Sequence, residues 1–167
     1  NNLYEYQVKF AQEYFFEKVS PSLGVIVLNK FRKIPDFKEN LSILMVNMEL
    51  VDKTVQNGII HIPKDLDRFV ELPSKDSNRY IMMVDDLIRY HLNDIFKIFK
   101  PVSIQANMIK ISRDAELDFD DDISKSFLDK IAQSVKERSS GDPVRFVYDS
   151  DIRIDSLKFL LNKMKID

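Results

Sequence analysis

The stretch RYIMMVDDLIRYHLNDIFKIFKPVSIQANMIKISRDAE, residues 79–116, decides the fold because it contains a strand pattern, a helix pattern and a second strand pattern in succession. Its opening residues are largely apolar and run directly into Asp85 and Asp86. Acidic side chains here favour a helix start, because they face the positive end of the helix dipole. The sequence therefore predicts a strand over residues 79–83 and a helix that begins near Val84.

The predicted helix carries apolar residues at steps of three and four, which places them on one face at 3.6 residues per turn. These residues are Val84, Leu87, Ile88, Leu92, Ile95, Phe96 and Phe99. The opposite face is charged, and Asp85 and Arg89 are four residues apart, so they can pair weakly. Pro101 stops the helix, and alternation over residues 108–111 predicts a second strand. We interpret the stretch as a β-α-β unit that ends in a charged tetrapeptide, residues 113–116.

Patterns outside this unit predict further helices and strands. A stripe of Leu3, Tyr6, Phe10, Tyr14 and Phe15 predicts a first helix that ends at residues 20–21. Later stripes predict helices over residues 123–135 and 157–164. Four more strands are predicted: residues 25–28 (buried), 41–51 (central), 59–62 and 144–148. A tight turn is predicted at residues 56–58, and a turn or short helix over residues 65–70. The predicted fold is α+β, a single domain with a mixed, mostly antiparallel sheet and packed helices.

Composition limits the function classes. The chain has 167 residues, of which 44% are hydrophobic, which suits one domain with a core. Its 25 basic and 27 acidic residues give a net charge of -2, which argues against broad affinity for nucleic acid or anionic membrane but leaves local patches open. It has no cysteine, so disulfides and thiolate chemistry are excluded. No apolar run approaches the roughly 20 residues of a transmembrane helix, and we expect a soluble, cytoplasmic protein.

Four blocks of sequence, in this order and spacing, resemble the head domain of bacterial polyphosphate kinase, an ATP-dependent family with a histidine phosphoenzyme. The blocks are DRFVELP at residues 67–73, VDDLIRYHLNDIF at 84–96, RDAE at 113–116 and PVRFVY at 143–148. Residues 15–23 resemble, more loosely, the helix-to-proline junction that enters this domain. The resemblance implies a linking helix from a preceding N-terminal domain over residues 1–20 and the head (middle) domain over residues 21–167. The chain starts without methionine, and we interpret it as an excised fragment.

The resemblance also implies a function. The parent enzyme would reversibly transfer the terminal phosphate of ATP to polyphosphate through a phosphohistidine, with ATP and Mg²⁺ as its cofactors. The fragment would support dimerisation, help to shape the route to the active site and need no cofactor of its own. Its partners would be the other domains of the same polypeptide and a second copy in a homo-oligomer. The parent would bind polyphosphate and ATP or ADP, and we expect no nucleic acid among its partners. The parent would be cytoplasmic, with membrane association left open.

Reactive groups are few in this sequence. The two histidines, His61 and His91, fall outside any motif like the family's phosphorylated histidine, which belongs to a domain C-terminal to this segment. With three glycines and no glycine-rich phosphate motif, a backbone phosphate cradle is not expected. Acidic residues over 118–122 lack the glycine and the last glutamate of a calcium loop, so they are better explained as helix N-terminal charge. We therefore predict no catalytic, cofactor-binding or metal-binding residue in this chain.

The remaining candidates are contact residues. Arg113, Asp114 and Glu116 either form a local ion pair or meet another domain or subunit. Arg89, Tyr90 and Arg145 are further interface candidates, because arginine and tyrosine are favoured at binding hot spots. A basic loop at residues 29–37, which departs from the family's pattern, is either solvated or contacts a polyanion through Lys30, Arg32 and Lys33. Two alternatives to the kinase domain stay open: a non-catalytic interaction module of similar fold, and a small stand-alone enzyme, which no catalytic constellation supports.

Overall fold

A computed structural model describes residues 3–28, 41–113 and 143–164 of the chain. The described residues form two compact units. The first contains residues 3–28 and 43–107, and the second contains residues 41–42, 108–113 and 143–164. The predicted helix over residues 123–135 lies outside the described part of the chain.

The first unit begins with a helix that changes its hydrogen-bonding period. Helix α1 spans Glu5–Tyr14 and continues into a π turn, Phe15–Val19, and a 3-10 turn, Ser20–Ser22. Its start is held by the Gln7 amide, whose oxygen accepts from the Tyr4 backbone N–H at 3.2 Å and whose nitrogen donates to the Pro73 carbonyl at 3.1 Å. The predicted first helix is confirmed, and its end at Ser20–Ser22 agrees with the proline at position 21.

The larger sheet has five strands in the order β1-β3-β2-β6-β7. Strands β1 and β2 both pair antiparallel with β3, and β6 pairs antiparallel with β7. A separate antiparallel pair is formed by β4 and β5. The α+β class and the mostly antiparallel sheet are confirmed; the strand bounds are β1 Gly24–Leu28, β2 Leu41–Glu49, β3 Val55–His61, β4 Phe69–Leu72, β5 Tyr80–Met83, β6 Ser103–Arg113 and β7 Pro143–Tyr148.

The centre of the first unit is β2. Its residues Ile43, Leu44, Met45 and Val46 are all fully buried, which confirms the prediction of a central strand covered on both faces. The prediction that residues 25–28 form a buried strand is only partly right. Strand β1 lies at the edge of the sheet, and of its residues only Leu28 is buried.

The prediction of a tight turn at residues 56–58 is wrong, because these residues lie inside β3. The chain reverses earlier, where Leu50 accepts from the Lys53 N–H at 2.9 Å and donates to the Thr54 carbonyl at 2.9 Å. Asn57 and Gly58, which favour a turn locally, instead make contacts between neighbouring elements. Asn57 accepts a 2.7 Å hydrogen bond from Asn47 on β2, and Gly58 leaves space for the ring of Phe96. Packing across the strands therefore overrides the local turn preference.

Residues 80–113 form strand, helix and strand in that order. The two strands lie in different sheets, so the predicted β-α-β unit is not a parallel crossover. Strand β5 pairs with β4, whereas β6 belongs to the five-stranded sheet. The second strand begins at Ser103, five residues before its predicted start at residue 108. The short helix considered for residues 65–70 is also absent, because the chain turns there and Val70 lies in β4.

The predicted long helix over residues 84–99 is divided into three pieces. They are α2 (Val84–Tyr90), α3 (Leu92–Ile95) and a 3-10 turn (Lys97–Phe99). The break falls at His91, whose backbone has φ -102° and ψ 16°, outside the helical region. No proline or glycine is present to break the helix, so the cause is the packing of the His91 side chain described below.

In the second unit, β6 and β7 form a hairpin-like pair with Ile109 opposite Tyr148 and Ile111 opposite Phe146. The end of β7 is tied to β6 by Asp149, which exchanges bonds with the Met108 backbone: its carboxylate accepts at 2.7 Å and its N–H donates at 3.1 Å. Helix α4 (Ile154–Met164) follows and buries Leu157 and Leu160, which confirms the last predicted helix. Among the described residues, no helix is long and apolar enough to cross a membrane.

Candidate functional site

Arg89 contacts two carboxylates and one backbone carbonyl through its guanidinium. One turn of α2 places its Nη1 3.0 Å from Asp85 Oδ2 and 2.9 Å from Asp86 Oδ1. Its Nε donates to the backbone carbonyl of Ala106 on β6 at 3.1 Å. The guanidinium thus pairs with two carboxylates and joins α2 to the large sheet, with only 27% of the side chain exposed. Its described contacts are all with other residues of the first unit.

His91 lies in an aromatic enclosure at the end of α2. Its ring stacks on Phe15 with centroids 4.2 Å apart and an interplanar angle of 11°, while Phe16 and Tyr90 approach edge-on at 5.7 and 5.2 Å. The residue is 3% exposed. These contacts explain the helix break, because seating the ring against Phe15 sets the His91 backbone away from helical geometry. The π turn that begins at Phe15 positions the Phe15 ring for this stacking contact with His91.

The imidazole of His91 has one paired and one unpaired nitrogen within the described structure. Nδ1 lies 2.8 Å from Asp94 Oδ2, whereas Nε2 is buried and has no hydrogen-bond partner among the described residues. A carboxylate on Nδ1 favours the tautomer in which Nε2 carries the lone pair. The sequence pattern did not indicate this orienting carboxylate, although its i, i+3 spacing is a detectable signal. The basic nitrogen is nevertheless sealed from solvent, so a phosphoryl donor cannot reach it in this structure.

The other histidine is placed differently. His61 is the last residue of β3, half-buried, with Gly24 and Ile43 opposite it on the two neighbouring strands. The described residues contain no group of three or more His, Asp or Glu side chains that could hold a metal ion.

The turn between β4 and β5 is organised by Asp76. Its carboxylate accepts from the Asn78 N–H at 2.9 Å, the Ser74 hydroxyl at 2.8 Å and the Tyr80 hydroxyl at 2.9 Å. These hydrogen bonds, that from the Asn78 backbone first, lower the pKa of Asp76 below its ordinary value. Donation to Asp76 in turn raises the pKa of Tyr80 to about 12. The sequence signal for this network is the alternation of Ser74, Asp76 and Asn78, which is typical of side-chain-stabilised turns.

Aromatic and charged side chains surround the same turn. Lys75 places its Nζ 4.5 Å from the centre of the Tyr6 ring, and Tyr4 stacks on Tyr6 with centroids 5.6 Å apart. Across the β4–β5 pair, Arg79 binds Glu71 through two hydrogen bonds of 2.9 and 3.1 Å. Hydrogen bonding to Arg79 and its charge lower the pKa of the Glu71 carboxyl. Both partners are largely exposed, so this pair contributes little to stability.

The predicted contact residues that the structure describes lie on three different elements, α2, β6 and β7. Tyr90 is half-exposed at the end of α2, and Arg145 is exposed on β7 opposite Ser112. Arg113 is the last residue of β6. The other five candidates lie outside the described residues: Asp114, Glu116, Lys30, Arg32 and Lys33. The fold and side chains therefore define a small α+β domain whose described polar clusters stabilise its own elements.

Comparison with known proteins identifies the family. The family model described as the polyphosphate kinase middle domain matches residues 6–167. Polyphosphate kinase of Vibrio cholerae is 33% identical over 97% of this chain, and polyphosphate kinase of Escherichia coli strain K12 is 30% identical over 96% of it. The chain spans 24% of the length of each of these relatives. It therefore belongs to the polyphosphate kinase middle domain family.

A solved structure supports the fold. The crystal structure of polyphosphate kinase from Porphyromonas gingivalis superposes on the whole chain with a TM-score of 0.70 and 23% sequence identity, and the match takes up 23% of that protein. At this identity the likeness shows the fold alone. The α+β arrangement described above is therefore shared with part of that protein.

Proposed function

We propose that this chain is the middle domain of a polyphosphate kinase and acts as a structural and dimerising part of that enzyme. The observation that carries the proposal is the family match, which runs from residue 6 to residue 167 and so includes all the secondary structure described except the first residue of α1. The parent would reversibly transfer the terminal phosphate of ATP to polyphosphate through a phosphohistidine. ATP, ADP, Mg²⁺ and polyphosphate would bind the parent, which would work in the cytoplasm.

The histidines of this chain support a phosphohistidine elsewhere in the parent. His91 is held by Asp94 on one nitrogen and sealed by Phe15 on the ring face. His61 has no described carboxylate partner, which an activated histidine would use for orientation. We therefore expect neither residue to accept phosphate from ATP.

The test is phosphate incorporation. The purified 167-residue chain is incubated with ATP labelled on the terminal phosphate and Mg²⁺, then resolved under alkaline conditions that preserve phosphohistidine. We expect no label on the chain and no labelled polymer, while the full-length Escherichia coli relative serves as the positive control. Label on this chain would contradict the proposal, and His61→Gln and His91→Gln would show which histidine accepts it.

A non-catalytic interaction module of similar fold is the alternative function. It shares the prediction of an inactive fragment, so the labelling experiment does not separate the two. The coding sequence on either side of residues 1–167 separates them, because a kinase parent must continue into a domain with the phosphorylated histidine. Unrelated flanking sequence would favour the interaction module.

A further inference from the structure

Asn57 and Gly58 form the only place in the 167-residue sequence where a glycine follows an asparagine. Asparagine is one of the chemically labile residues of proteins. A following glycine makes it more so, because the glycine has no Cβ to obstruct the approach of its own backbone nitrogen to the asparagine side chain. The structure places this labile pair inside a strand, β3, rather than in a turn.

Neighbouring strands hold the backbone of the pair on both sides. Asn57 and Gly58 each have partners on β1 and on β2, and Gly58 lies between Val27 on β1 and Val46 on β2. Residues in an antiparallel ladder are extended, and their N–H and C=O groups are engaged by the adjacent strands. The Gly58 nitrogen therefore cannot turn toward the Asn57 side chain while both ladders are intact.

The side chain of Asn57 is also held in place. Asn47 Nδ2 on β2 donates a 2.7 Å hydrogen bond to Asn57 Oδ1. The Gln56 side-chain amide donates to the Asn57 carbonyl at 3.2 Å and to the Leu28 carbonyl on β1. The amide of Asn57 is thus fixed by β2, and the backbone next to it is connected to β1. The folded sheet protects the pair from reaction.

This protection depends on β1, which is the weaker of the two neighbours. Strand β1 has five residues, lies at the edge of the sheet and buries only Leu28, whereas Val25 is 42% exposed. Strand β2 has four consecutive fully buried residues. Segments with few buried apolar contacts open locally at a lower free energy than the rest of a fold. Detachment of β1 therefore releases one side of β3 before the whole unit unfolds.

We propose that Asn57 is a self-modification site that deamidates when β1 detaches from β3. The Gly58 nitrogen forms a bond to Asn57 Cγ and loses its proton, the bond between Cγ and Nδ2 breaks, and Nδ2 leaves with that proton as ammonia. The product is a five-membered succinimide ring. Water then adds across one of the two C–N bonds of the ring, which leaves either aspartate or isoaspartate at position 57.

The two products affect the sheet differently. Aspartate keeps the length of the backbone, and its carboxylate can accept the hydrogen bond of Asn47 as the amide oxygen does. Isoaspartate adds a methylene group to the main chain of β3. Ile59 and Ile60 follow directly and are fully buried, so the longer backbone displaces them from a close-packed core. The reaction thus prevents a chain that has opened and formed isoaspartate from regaining its native sheet.

The experiment follows deamidation by mass spectrometry at mildly alkaline pH, in buffer and in concentrated urea. Trypsin releases residues 54–64 as one peptide, in which the aspartate and isoaspartate products elute separately. We expect the folded chain to react at Asn57 about 100-fold more slowly than the unfolded chain, because the open fraction of the sheet limits the reaction. Equal rates would overturn the proposal. Asn57→Gln should abolish the product peptides and confirm the site.

Variants of β1 test whether its detachment controls the reaction. Ile26→Gly weakens the strand and should accelerate deamidation of the folded chain about tenfold, and Val25→Gly, a milder exposed change, about threefold. The matched control is Leu157→Val, which loosens the buried face of α4 in the second unit and should leave the rate unchanged. Circular dichroism should confirm that each variant folds. Equal acceleration by the control, or no acceleration by either β1 variant, would contradict control by β1.

Discussion

Arg89 stabilises the fold through two kinds of contact, and only one of them is visible in the sequence. Its spacing from Asp85 predicts a weak helical pair, which the structure confirms at 3.0 Å. Its bond to the Ala106 carbonyl joins residues 17 positions apart and depends on where β6 passes α2. Hydrogen bonds from a partly buried charged group are stronger than those of a solvated pair.

Replacing Arg89 by alanine should therefore destabilise the chain by about 2 kcal/mol, because Asp85 and the Ala106 carbonyl lose a charged donor. Arg89→Lys should recover part of the loss, since lysine keeps the charge but not the planar fork. Chemical denaturation measures both. Arg79→Ala is the matched control, because the Arg79–Glu71 pair is exposed on both sides, and it should leave the denaturation midpoint unchanged. Equal effects of the two alanine variants would contradict the structural role of Arg89.

Tyr80 should lose its phenolic proton at a higher pH than an ordinary tyrosine. Its pKa is raised from 10.0 to about 12 by donation to the Asp76 carboxylate, so it stabilises the β4–β5 turn below pH 10 and that contribution is lost as the pH rises through about 12. Asp76, whose pKa is lowered, contributes above its ordinary pKa of 3.8 and loses its contribution as the pH falls below it. Ultraviolet absorbance of tyrosinate should show one late component among the six tyrosines.

Two variants assign this late component. Tyr80→Phe should remove it, and Asp76→Asn should shift it to lower pH, because an amide does not hold the phenolic proton as a carboxylate does. A late component that survives both replacements would belong to another tyrosine and would contradict the hydrogen bond between Tyr80 and Asp76.

At the scale of elements, short segments of this chain depart from ideal helices for reasons of packing. The π turn after α1 positions Phe15, and the break between α2 and α3 positions His91, so that the two rings stack 4.2 Å apart. Each departure falls on a residue that is nearly fully buried. The apolar stripe of residues 84–99 predicted a helix correctly in its first two turns and could not anticipate the break.

The packing of neighbouring elements on β3 requires a glycine at position 58, because the Ile26 carbonyl and the Phe96 ring both lie close to it. A Cβ at this position would lie 3.3 Å from the Ile26 carbonyl oxygen and 3.4 Å from the Phe96 ring. Gly58→Ala should destabilise the chain by about 1–2 kcal/mol through overpacking, as measured by thermal or denaturant unfolding.

The control for this prediction is Gly24→Ala at the exposed start of β1. An added Cβ there meets the His61 Cβ at an ordinary 3.4 Å and meets no backbone oxygen, so stability should stay the same or rise slightly. If Gly58→Ala were as stable as Gly24→Ala, the approach of the Ile26 carbonyl oxygen to β3 would not be as tight as the structure shows.

At the scale of the whole molecule, the proposed role as a dimerising domain requires a surface outside the internal ion pairs. Arg89 is engaged within the first unit, whereas Tyr90 and Arg145 are accessible and remain candidates for an interface. Tyrosine and arginine side chains supply large contact areas when an interface forms.

Light scattering over a wide concentration range, at low and high salt, tests assembly. We expect a dimer that dissociates on dilution, and Tyr90→Ala or Arg145→Ala to raise the dissociation constant by about tenfold if the residue lies in the interface. Lys158→Ala, an exposed change on α4, is the control. A monomer at every concentration would contradict self-assembly of this chain and would mean that any dimer of the parent needs its other domains.

The sequence by itself determined the fold class, the central strand β2, the last helix and the family. These features depend on local periodicity and on blocks of residues in order, both of which a single chain displays. It also indicated the Asp85–Arg89 pair, because residues four apart face each other on any helix. The contact candidates at residues 30, 32, 33, 114 and 116 stay predictions, since they lie outside the described residues.

Only the tertiary structure decided where the chain turns and where the helices break. Residues 56–58 have a strong turn preference, yet they lie in β3 because Asn57 pairs with Asn47 and Gly58 receives the Phe96 ring. His91 interrupts a regular helical stripe because Phe15, 76 positions earlier, stacks on its ring. Local preferences amount to about 1 kcal/mol per residue, whereas burying a large side chain in a close-packed core contributes about 2–3 kcal/mol. The distant contact therefore prevails, and no local pattern contains it.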